Sequence, residues 1–151
     1  MKFFPLSPPL LRGLLLSSAV LFVISCATQT EVEIQDNDNA AAFAKVKPVL
    51  ERNCVHCHAA IRLPGMPSLT DTKALAGLIG TNNLIVPGNP EKSRFYVVVT
   101  LADNQAGAMP PTGHAMSTRE VATLREWIQR GAALPSETII LKGEGRSPRS
   151  R

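Results

Sequence analysis

The sequence predicts an all-α domain of three to five helices joined by long loops. Three stretches carry that prediction. "NAAAFAKVKPVLERNC" places Phe43, Val46, Val49 and Leu50 at the spacing of one helical face. "GNPEKSRFYVVVT" opens with Asn89 as a cap, Pro90 at the first helical position and Glu91 near the positive end. "STRE" at 117–120 is a capping box, and Val121, Leu124, Trp127 and Ile128 extend one apolar stripe behind it.

In chain order, "MKFFPLSPPLLRGLLLSSAVLFVISC" reads as an export signal. Lys2 and Arg12 form its positive start, and Gly13–Ile24 is an apolar stretch too short for a spanning helix of about 20 residues. Val23-Ile24-Ser25-Cys26 resembles a bacterial lipobox, which implies cleavage before Cys26 and lipid on that cysteine. Residues 1–25 are therefore expected to be the signal. Residues 26–39, polar and acidic, are expected to form a flexible tether reaching roughly 20 Å.

The domain proper is expected over 40–136. Its first helix meets Pro48, which predicts a kink or a new start there, and delivers Cys54 at its end. "AAIRLPGMPSL" is loop, and Thr72 to about Leu78 a short helix. In "RFYVVVT" three consecutive valines favour a strand, but the explicit start at Asn89–Glu91 favours helix. "ADNQAGAMPPTGHAM" is loop, and Gly131 ends the last helix. Residues 137–151 are expected to be a basic, mostly disordered tail in which Ile139–Leu141 packs as a short strand. No internal repeat is present.

The formal net charge of +4 belongs to the ends of the chain. Between residues 26 and 136 there are ten basic and ten acidic residues. Nothing therefore supports a nucleic-acid partner, which needs basic residues clustered on the folded domain. Aromatic residues make up only 5 % of the chain, so the core is aliphatic or borrows an apolar body from a cofactor.

"CVHCH" at 54–58 carries the chemistry. A structural zinc site wants four converging ligands, and the adjacent Cys57 and His58 diverge. A thioredoxin-type pair sits beside a βαβ pattern that is missing here. C-x-x-C-H is also the attachment signature of c-type haem. Cysteines three apart lie on one side of a helical turn, where Cys54 and Cys57 can form thioethers with the two vinyl groups. His58 then lies under the iron as proximal ligand. This use leaves Cys26 for lipid and no odd thiol. The expected cofactor is one covalent haem c.

Four residues compete for the second axial position. Met109, in a loop stiffened by Pro110 and Pro111, suits electron transfer through a thioether ligand. His114 gives a lower potential, Met116 adjoins the cap of the last helix, and His56 lies between the two cysteines on the wrong side. Met109 is favoured. The other nitrogen of a metal-bound imidazole usually meets a carbonyl, here expected from Leu63 or Pro64.

Four motifs in order carry a family resemblance: F-x-x-V-x-P-V-L-x-x-x-C-x-x-C-H from Phe43, I-V-P-G-N-P-x-x-S-x-x-Y from Ile85, M-P-P-x-G from Met109, and E-x-x-x-L-x-x-W-I-x-x-G-A from Glu120. Together they resemble the planctomycete-type cytochrome c domain, a branch of the class I cytochromes c. The resemblance implies one covalent haem c, axial ligation by His58 and Met109, and packing of the N- and C-terminal helices against each other. The implied function is single-electron transfer between a protein donor and a protein acceptor, with no catalysis of its own. An alternative role is the electron-accepting haem subunit of a separate periplasmic dehydrogenase or other oxidoreductase. A peroxidase or a haem-based sensor needs an open iron site, which the Met109 loop argues against. The export signal places the domain outside the cytoplasm, in a bacterial periplasm, held to a membrane through lipid on Cys26.

Overall fold

A computed structural model describes residues 14–59, 65–111 and 113–143, with side chains from residue 31 onward. The start of the leader (Lys2 and Arg12), the side chain of Cys26 and the last residues from 144 lie outside that description. The chain divides into two units, 1–35 and 36–151.

The described residues form five α-helical segments and no strand beyond isolated bridges. Helix α1 covers Leu14–Leu50, a π-helical turn Glu51–Val55, and α2, a single turn, His56–His58. Helix α3 is Thr72–Ala76; a 3₁₀ turn at Pro90–Lys92 leads into α4, Arg94–Thr100; and α5 is Thr118–Gln129. Among the described residues no helix is long and apolar enough to cross a membrane.

The C-terminal half of α1 supplies Phe43, Val46 and Leu50 to one apolar cluster, in which Leu124, Trp127 and Ile128 of α5 also lie. The first and last helices therefore share a core, completed by Val55, Leu69, Leu75, Ile85, Ala132 and Leu141. Trp127 keeps its polar edge satisfied by donating Nε1–H to the Ala133 carbonyl at 2.9 Å. Pro48 remains inside α1, where it cannot donate to the preceding turn. Three residues beyond it the helix widens into the π turn, a form common at functional sites.

The other expected elements occur with small shifts. Asp71 caps α3 by accepting from Ala74 N at 2.7 Å, and the helix ends at Ala76, short of Leu78. The "RFYVVVT" stretch is helical, as its start signal predicts. Asn89 makes no side-chain cap bond, however. The buried Ser93 holds this turn instead: its Oγ accepts from Val86 N at 2.8 Å and donates to the Asn89 carbonyl at 2.9 Å. The capping box of α5 is complete. Ser117 Oγ accepts from Glu120 N at 3.3 Å, and the Glu120 carboxylate accepts from Ser117 N at 2.8 Å.

One segment differs from expectation, and another extends what was expected. Residues 26–39, read as a flexible tether, have helical backbone as part of α1. Val32 and Ile34 are 71 % and 56 % exposed, so this stretch follows from helix propagation and not from a buried face. Within residues 137–143 the packing expected of Ile139–Leu141 is present, and it extends to the residues on either side. Ile140 bridges antiparallel to Asp71, and Leu141 enters the core. The reason is three apolar residues, Ile139–Leu141, placed where a loop edge offers unpaired carbonyls and amides.

Candidate haem-attachment site

Cys54 lies in the π turn, and Cys57 and His58 in α2, so one continuous helical path presents all three. Cys54 is half-buried, Cys57 is exposed, and neither is in a disulfide. His58 is half-buried. Its Nδ1 stands 2.8 Å from the carbonyl oxygen of Pro67. A carbonyl can only accept, so Nδ1 carries the proton and Nε2 keeps its lone pair for a metal. The expected acceptors, Leu63 and Pro64, lie outside the described residues. The carbonyl that does the work is three residues further on. A second bond, Leu69 N to the His58 carbonyl at 2.8 Å, ties the same loop to the same residue.

The turn that carries the cysteines is fixed by two carboxylates. Glu51 is buried, and its Oε1 accepts from Lys47 Nζ at 2.7 Å and Lys142 N at 2.9 Å. Burial raises its pKa, but these donors outweigh burial and hold it below the ordinary range. Glu120, from α5, reaches across to Asn53 Nδ2 at 3.0 Å and Arg52 Nη1 at 3.3 Å. Neither carboxylate stood out in the sequence as part of the site. For Glu51 the only signal is Lys47 four residues before it.

Met109 occupies the loop between α4 and α5, with its amide bonded to the Val98 carbonyl of α4 at 2.8 Å. The next residue, Pro110, is buried, while the Met109 side chain is 39 % exposed. Asp103 closes the loop: both its carboxylate oxygens accept from Gly113 N, at 3.2 and 3.0 Å. His56 and His114 are exposed and Met116 is half-buried.

The donor set fits a haem. It offers two thiols three residues apart, one imidazole with a defined tautomer, and one apolar thioether side chain left at the surface. Among the described residues no group of three or more His, Cys, Asp or Glu side chains is placed to hold a metal ion.

Residues 54–113 match the family model described as Planctomycete cytochrome C. Over this stretch the chain is similar to the planctomycete-type cytochrome c domain. The matched stretch begins at Cys54 and ends at Gly113, so it contains the attachment motif, the I-V-P-G-N-P segment and the Met-Pro-Pro loop. Neither the curated proteins nor the solved structures yield a match. The family is one of electron-transfer haem proteins, and it implies a covalent haem c.

Asp103 gives a test of how the loop is held. Asp103→Ala removes the clamp on Gly113 without touching the core. Weakened loop closure should raise the rate at which an external ligand such as imidazole replaces the native one on the ferric protein, by roughly tenfold. Asp103→Asn keeps one acceptor oxygen and should restore most of the difference. Equal imidazole-binding rates in all three proteins would separate Asp103 from the site.

Proposed function

We propose that this chain is an extracytoplasmic monohaem cytochrome c, held to a membrane through lipid on Cys26, that carries single electrons between a donor and an acceptor protein. The observation that carries the reading is the turn 54–58. Cys54, Cys57 and His58 follow one another along it, and the His58 Nδ1–H is committed to Pro67, leaving Nε2 for iron. Haem c, when bound, would supply reversible one-electron chemistry to this turn. Cys54 and Cys57 would hold it through thioethers, and His58 and Met109 would supply its nitrogen and sulfur ligands. A haem held by His58 and Met109 together would supply electron transfer without a site for substrate at the metal. The signal-like segment ending in Val23-Ile24-Ser25-Cys26 supports export and the anchor.

The test is covalency. The full chain, expressed in a bacterium that attaches haem outside its cytoplasm, should retain haem after denaturation. The Cys54→Ser, Cys57→Ser double variant should retain none. A parent chain stripped of haem by denaturation, or a double variant that keeps it, overturns the reading. The anchor is tested on the same preparation by mass spectrometry. The mature protein should begin at a lipid-modified Cys26, and an unmodified chain retaining residues 1–25 removes the lipid.

A further inference from the structure

After α5 the chain does not leave the domain. Ser136 bonds to Asp36 through its amide and hydroxyl, at 2.8 and 2.9 Å, and residues 137–143 then run as a strap. One side of the strap pairs with the loop after the attachment motif. Thr72 N donates to the Ile139 carbonyl at 3.0 Å and Leu141 N to the Thr70 carbonyl at 2.9 Å. The Thr72 hydroxyl accepts from Ile139 N at 3.0 Å and donates to the Glu137 carbonyl at 3.2 Å. The other side meets the motif itself. Lys142 N donates to Glu51 Oε1 at 2.9 Å. Gly143 lies so close that a Cβ on it would stand 3.0 Å from His56 N and 3.1 Å from His56 Cα.

The strap thus touches the two segments joined by the His58–Pro67 hydrogen bond. The turn 51–58 supplies the imidazole, and the loop ending at Thr72 supplies the carbonyl. A donor bond from Nδ1–H raises the basicity of a metal-bound imidazole, and such bonds are one of the levers on a haem potential. A carbonyl on a loop orients well only if the loop is fixed. Pro67 and Ser68 make no bond to the strap themselves, but Thr70 and Thr72 do, two to five residues on.

We propose that Glu137–Gly143 is a positioning strap for the proximal ligand: by clamping the turn 51–58 to the loop 67–72 it fixes the His58–Pro67 bond and so lowers the reduction potential. The inference rests on the haem reading above. Its residues act through His58 and Pro67.

Two uncharged substitutions in the haem-loaded full chain test it, and neither alters the electrostatic field. Gly143→Val forces the strap off His56, and Thr72→Val removes the hydroxyl that binds Ile139 and Glu137. In both, the potential should shift upward. Exchange of the His58 Nδ1 proton with solvent, read by NMR on the ferrous protein, should accelerate roughly tenfold. Amides of Leu124 and Ile128 in α5 should keep their parental protection. Unchanged potential and unchanged Nδ1 exchange, with covalent haem in place, overturn the strap. Equal acceleration throughout α5 also overturns it, because the segment would then be a general stabiliser. If Thr72→Val fails to accumulate, Gly143→Val decides alone, since that residue lies beyond the last core side chain. Absence of covalent haem from the parent is a different failure: it overturns the haem reading and this inference with it.

Discussion

Met109→Ala should abolish the weak far-red absorption band of the oxidised protein and open the reduced protein to carbon monoxide. The band reports methionine sulfur on ferric haem iron, and alanine has no sulfur to give. The substitution should leave the loop in place. The Met109 amide stays on the Val98 carbonyl, Pro110 stays buried, and Asp103 still clamps Gly113. Because the side chain is 39 % exposed, the polypeptide itself loses little packing, about 0.5 kcal/mol or less. The chemical effect should therefore far exceed the structural one. The potential should also fall, because a thioether ligand raises it. That direction is opposite to the shift expected from loosening the proximal strap, so the two sides of the haem are separable by sign. Met116→Ala and His114→Ala are the controls, and both should keep the band. A band that survives Met109→Ala, or is lost in Met116→Ala, would move the ligand to another residue. Rapid carbon monoxide binding by the unsubstituted reduced protein would argue for an open iron and a sensing or catalytic role.

The elements legible in the sequence are those fixed by local rules. Ser117 and Glu120 form their capping box because the two side chains reach each other across a single turn, whatever lies elsewhere. The stripe of α5 is buried because the period of the helix repeats in Leu124, Trp127 and Ile128. The helical path through Cys54, Cys57 and His58 is legible for the same reason: its spacing is one turn. Its surroundings were not. The carbonyl that orients His58 comes from Pro67, and no local rule marks a particular carbonyl of a Pro- and Gly-rich loop. The strap was legible only in Ile139–Leu141. Charged and small residues around Ile139–Leu141 read as tail, yet those three suffice to bury Leu141 and to pair with Thr70 and Thr72. Long-range pairing decided that segment, and the sequence carries no periodicity for it. Asn89 shows the reverse case. Its sequence signal placed a helix start correctly, but Ser93 supplies the hydrogen bonds.

Glu120→Ala should destabilise the domain far more than substitution of an exposed carboxylate does. The carboxylate serves three partners at once. It closes the capping box on Ser117, accepts from the buried Asn53 at 3.0 Å, and pairs with Arg52 at 3.3 Å. Ser117 Oγ still caps the residue-120 amide, but losing the carboxylate that accepts from Ser117 N costs about 1 kcal/mol. Taking an acceptor from the buried Asn53 costs about 1 kcal/mol more, although its bond to the Val49 carbonyl at 2.9 Å remains. The pair with the half-exposed Arg52 adds only a few tenths. The sum, about 2–3 kcal/mol, should lower Tm by about 10 °C in a domain of this size. The control is Glu126→Gln, which breaks an exposed pair with Arg130 and should stay within about 0.5 kcal/mol.

The same residue sets a pH limit. Burial pushes the Glu120 pKa up, but hydrogen bonds from the Ser117 hydroxyl, Asn53, the Ser117 amide and Arg52 outweigh burial and hold it at about 2, below an ordinary 4.5. A carboxyl depressed in the folded state contributes stability that is complete above its unfolded pKa. That contribution is lost as pH falls through the folded value. The parent protein should therefore lose stability between about pH 4.5 and 2, and Glu120→Gln should flatten that limb while lowering the neutral plateau. Urea midpoints at a series of pH values measure it, and parallel acid limbs in parent and variant would contradict the assignment. Arg52 and Asn53 lie on the turn that presents Cys54. Protonating Glu120 therefore releases that turn from α5, and acid unfolding should begin at the haem-binding turn.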